Sequence, residues 1–141
     1  MFVQDVPMET RGEERGGDCV VWVDAWQQDC CGDHWAIGSS VSWTVEPPNR
    51  EYLDPLFAPG AGVTIDWHEE RHDESRAGLR TLAGTIVAIA GVDLDYEARD
   101  PDEPKMMYPV AGSARLAPLT KSEGDELRRD NFTGYVVTLR P

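Results

Sequence analysis

The sequence is poor in cysteine, histidine and lysine, and it has no long apolar run. Its three cysteines, Cys19, Cys30 and Cys31, are an odd number in 141 residues. That excludes the paired disulfide framework of a small secreted domain and points to a reducing compartment. No stretch approaches the ~20 apolar residues of a membrane-spanning helix. The charged residues 1–17 hold no apolar segment of the signal-peptide kind. The expectation is a cytoplasmic protein with no membrane association. Only Lys105 and Lys121 are lysines, and the rest of the 13 basic residues are arginines, a usage that a GC-rich genome produces without functional pressure.

Acid is abundant. The 13 basic residues face 26 acidic ones, for a formal charge of −13. The mean field repels phosphate backbones and anionic headgroups, which argues against nucleic acid as a partner. A protein partner with a basic surface is favoured, and otherwise the charge serves solubility. The acids are spread over Asp5–Asp18, Asp66–Glu74, Asp93–Glu103 and Glu123–Asp130 rather than gathered in one tail.

The length suits one domain with its own core. Residues 1–18 are polar and broken by Gly12, Gly16 and Gly17, so a flexible leader is expected before a single domain over 19–141. Val20 to Val23 reads as a strand buried on both faces. Val41–Val45 and Val63–Trp67 alternate with period two and read as half-buried strands. Between them runs a long Pro/Gly-rich connection, expected to be functional or poorly ordered, in which Leu53, Leu56 and Phe57 can form one helical turn. From Leu82 to Tyr96 the even positions share an apolar face, with Gly84 and Gly91 at bends. Met106 to Val110 adds a strand that Pro109 keeps at an edge, and Gly134 to Leu139 closes the domain. The pattern predicts an all-β domain: a small closed or partly open β-barrel, SH3-like or OB-like, with long loops and at most one short helix.

Two segments carry residues that could do chemistry. The first is the turn from Trp26 to Trp35, with Cys30, Cys31 and His34. Two thiolates and an imidazole are soft ligands suited to zinc, whereas adjacent cysteines in extended chain also pack on opposite sides without ligating anything. The second is His68-Glu69-Glu70-Arg71-His72. It matches the H-E-x-x-H pattern of zinc proteases, but that mechanism needs a helix, and the flanking segments are strand-like and turn-like. A solvated loop between strands is expected there. In extended chain His68 and His72 still share a side, so two loops at one barrel end would bring Cys30, Cys31, His68 and His72 together. Trp26 and Trp35 flank the cysteine turn and are candidates for a binding surface, although tryptophans at strand spacing usually belong to the core.

The run Trp26-Gln27-Gln28-Asp29-Cys30-Cys31-Gly32, with Gly38 and Val41-Ser42-Trp43 after it, resembles the opening block of a family of short, uncharacterised actinobacterial proteins. The segments Asp66–His72 and Gly134–Leu139 are similar in style. That resemblance implies a domain of unknown function and adds no activity. Members of that family tend to carry adjacent histidines after the acidic pair, whereas here Glu69, Glu70 and Arg71 separate His68 from His72.

Three functions remain open on these grounds. The leading one is a small acidic binding module without enzymatic activity and without a cofactor. The second is a zinc-binding protein using Cys30 and Cys31 with His34, His68 or His72. The third is a small enzyme with a pocket lined by Trp26 or Trp35.

Overall fold

A computed structural model describes residues 17–25, 34–70, 79–122 and 132–141. Eight strands and one short helix are seen among them: β1 Cys19–Asp24, β2 Ser40–Glu46, α1 Arg50–Leu53, β3 Trp67–Glu69, β4 Arg80–Asp93, β5 Tyr96–Ala98, β6 Met107–Pro109, β7 Arg115–Leu119 and β8 Phe132–Arg140. A 3₁₀ turn, Asp54–Leu56, follows α1 directly.

Five strands close a barrel in the order β2-β3-β1-β8-β4, and β4 returns to pair with β2. The small all-β barrel read from the sequence is therefore present. All ring contacts are antiparallel except β1 with β3, so the ring is not a simple meander. β7 extends the sheet beyond β4, and β5 and β6 form a separate hairpin.

Alternation decides what each face of β1 buries. Val21 and Val23 point inward, to a core shared with Trp43, Val45, Ile86 and Tyr135. Trp22 points outward, yet it is only 1% exposed. The long connection after β2 covers it: Leu53, Leu56 and Ile65 join Trp22, Val92 and Leu94 in a second core on the outside of the barrel. Asn49 caps α1 by accepting from the Tyr52 N–H at 3.2 Å. Pro55 then fits the 3₁₀ turn, whose first residues need no N–H donor. The connection is thus ordered, and its work is to seal the outer face of β1.

Two readings of strand phase are corrected. Val63 to Asp66 is not strand. The Asp66 carboxylate accepts the Val20 N–H at 2.8 Å, and Ile65 turns into the outer core, so the ladder begins only at Trp67. In β4 the pairing with β8 shifts between Ile86 and Ala88, a bulge that reverses the phase. Ile86 and Ile89 consequently face the barrel interior, while Val92 and Leu94 face the outer core.

Candidate functional site

β3 places His68 on the outer face of the wall, opposite Trp22 of β1 and Glu46 of β2. Its Nε2 lies 2.7 Å from Oδ2 of Asp24, and its Nδ1 lies 3.5 Å from Oε2 of Glu46. Oδ1 of Asp24 accepts the indole N–H of Trp22 at 2.8 Å. The imidazole is thereby held between carboxylates of two neighbouring strands. Burial is the largest single influence on its pKa and opposes the charge. The hydrogen bond and charge of Asp24, with the charges of Glu46 and Glu70, together outweigh it and raise the pKa above the ordinary histidine value.

Glu69, next in the chain, points the other way. It is 2% exposed and sits beside Val45 of β2, and Trp67 on the same side packs against the inner core. Glu70 is buried too, and its N–H donates to the Thr44 carbonyl at 2.9 Å. The solvated loop expected at this segment is therefore corrected over His68 to Glu70: His68 and Glu69 belong to β3, and Glu69 and Glu70 are buried. A helical H-E-x-x-H arrangement is excluded, because alternation sends His68 and Glu69 to opposite faces of the wall.

Asp24 and Glu46 stand at different edges of the His68 ring, one facing each nitrogen. Among the described residues, no group of three histidine, cysteine or acidic side chains converges as a metal site. His34 is exposed. Cys30, Cys31, His72 and Trp26 lie outside the described residues.

Trp35 is a core residue, 5% exposed. Its ring meets those of Trp43 and Tyr135 edge-on, at 5.4 and 5.1 Å. Ser122 locks it in place: Oγ accepts the Trp35 N–H at 2.9 Å, and the Ser122 carbonyl accepts the Tyr135 hydroxyl at 3.0 Å. That is the setting of a packing side chain rather than of an exposed docking face. An open groove of about 430 Å³ runs along the connection after β2, lined by Arg50, Asp54, Phe57 and residues 58–64. It contains no tryptophan.

The chain matches a family of unknown function, DUF6578, over residues 17–141. It belongs to that family. No curated protein and no solved structure matches it. Membership of DUF6578 agrees with the domain of unknown function implied by the sequence resemblance, and it names no reaction or ligand. Function in this DUF6578 member has to be argued from its own surface.

One surface feature was not singled out from the sequence. The β5–β6 hairpin presents Met106 and Met107, each 50% exposed. Of the five large apolar side chains exposed among the described residues, these two are adjacent in the chain. Between Asp93 and Lys105 stand six carboxylates and only two cations, Arg99 and Lys105. The connecting turn is pinned: Asp100 Oδ1 accepts the Asp102 N–H at 2.9 Å, and the Met106 N–H donates to the Glu103 carbonyl at 3.0 Å. Arg99 lies over the Tyr108 ring at 5.1 Å and donates to the Pro109 carbonyl at 2.9 Å. At its base the hairpin is fastened to β8 by the 2.7 Å bond between the Tyr96 and Thr133 hydroxyls.

Proposed function

We propose that this protein is a binding module without enzymatic activity, which docks a basic, apolar-faced segment of a protein partner on the β5–β6 hairpin. The observation that carries the reading is the pair of adjacent exposed methionines on a pinned turn inside a strongly acidic stretch. Methionine is unbranched and polarizable, and it adapts to apolar partners of varied shape. The surrounding carboxylates steer a cationic segment toward it and set its orientation. Because hydrogen-bonded turns hold the tip, little ordering cost falls on binding. The acidic excess of the whole chain favours the same partner.

A fluorescent, lysine-rich amphipathic peptide is the probe, titrated by anisotropy at low and high salt. The wild type is expected to bind it in a salt-sensitive way, and M106S/M107S is expected to weaken binding by about tenfold or more through lost apolar burial. Both side chains are half exposed, so the variant should keep the wild-type melting temperature within a degree or two. Absent binding, or binding that the variant leaves unchanged, would overturn the reading.

A further inference from the structure

β3 is the shortest strand of the barrel ring, three residues joined by two register pairs to β1 and two to β2. His68 is its central residue and reaches both neighbours, with Nε2 on Asp24 of β1 and Nδ1 toward Glu46 of β2. Ionised carboxylates only accept hydrogen bonds, so serving both at once requires an N–H on each ring nitrogen, which only the imidazolium has. A neutral ring keeps one proton. The 2.7 Å contact to Asp24 is the better place for it, which leaves a lone pair on Nδ1 facing Glu46 at 3.5 Å.

We propose that His68 is a pH-sensitive staple of the barrel wall, which secures β3 to β2 while it is protonated and releases that side, but not the β1 side, when it loses its proton. The ionisable groups around the ring favour this asymmetry. Asp24 comes from β1, Glu46 from β2 and Glu70 from the residue after β3, and all three are acidic. Tyr52 of α1 stands near enough to Asp24 to feel its charge. Deprotonation therefore removes the positive charge from among three carboxylates. On the β1 side two backbone-anchored bonds remain, the Asp66 N–H to the Val20 carbonyl and the Val20 N–H to the Asp66 carboxylate, both at 2.8 Å. On the β2 side the register pairs of Val45 with Glu69 and Glu46 with His68 and the Glu70 N–H to the Thr44 carbonyl, at 2.9 Å, remain, but the side-chain link beside them is lost.

The test is amide hydrogen exchange resolved by NMR across the His68 titration, with protection corrected for intrinsic exchange and the ring C–H shifts reporting the protonation state. Protection of Glu70 is expected to fall about threefold as His68 deprotonates, the scale of one ion-pair contact. Protection of Val20 and Asp66 is expected to stay level. Glu46→Gln supplies the control, since its amide can donate to the neutral ring: the pH dependence at Glu70 should vanish while the fold persists. An equal fall on both sides, no fall at all, or a fall that survives in Glu46→Gln would each overturn the proposal.

Discussion

The imidazole of His68 and the carboxylate of Asp24, 44 residues apart in the chain, meet at 2.7 Å on the outer wall of the barrel. The contact ties β3 to β1, and the other oxygen of the same Asp24 carboxylate accepts the indole N–H of the buried Trp22. Charge, strand pairing and the outer core are thus linked through one carboxylate.

Stability should fall as pH rises. The folded pKa of His68 lies above its unfolded value of about 6.5, so the proton is held more tightly in the folded state. The stabilisation is complete below the unfolded value and is lost as pH climbs through the higher folded one. His68→Ala is expected to cost about 1 kcal/mol in mildly acidic buffer. The difference between wild type and variant, measured by urea denaturation, should shrink toward alkaline pH. A difference that stays constant with pH contradicts the ion pair.

Gly134→Ala should be strongly destabilising. A Cβ at that position would lie 2.5 Å from Cζ2 of Trp22 and 2.8 Å from the Val23 carbonyl oxygen, and neither the buried indole nor the backbone can give way easily. A loss of about 2–3 kcal/mol is expected from such overpacking. A melting temperature equal to that of the wild type would show that the Trp22 indole does not rest on Gly134.

Much of the barrel could be read from local patterns, and the errors have local causes. Val20 to Val23 announces β1 as an apolar, β-branched run buried on both faces, and Val41 to Val45 announces β2 because its burial follows the strand period. Met106 to Val110 was expected at an edge, and β6 is an edge strand. The even-face reading of Leu82 to Tyr96 broke at the bulge beside Val87, where Ile89 rather than Ala88 joins Ile86 in the interior. Asp66 delays the expected strand to Trp67 by placing its carboxylate on the Val20 N–H, where a ladder hydrogen bond was expected. The His68 contacts lay beyond such reasoning, since Asp24 and Glu46 reach it through strand register alone. The acidity of Asp93–Glu103 was plain in the sequence, but the exposure of Met106 and Met107 depends on how far the hairpin stands out from the barrel.

Leu53→Ala tests whether the connection after β2 is structural. Leu53 is 2% exposed and packs in the outer core with Trp22. Its truncation is expected to cost about 2–4 kcal/mol and to raise exchange of the β1 amides. A change within about 0.5 kcal/mol, the range of surface substitutions, would instead mark the connection as a loosely attached loop.

Zinc should leave His68 where it is. Zinc titrated into the chelated protein is expected to produce no shift in the His68 ring resonances, whatever it does at Cys30, Cys31 or His72, because both ring nitrogens face carboxylates. Stoichiometric zinc that moves those resonances would contradict this assignment.

The most direct test of the binding account is a map of where a cationic partner lands. The ¹⁵N-labelled protein is titrated with the lysine-rich amphipathic peptide, and amide and methionine-methyl shifts are followed. The account predicts perturbations concentrated at residues 96–109, with the Met106 and Met107 methyls among the largest. Perturbations scattered over the acidic surface, with the two methyls unmoved, would contradict it.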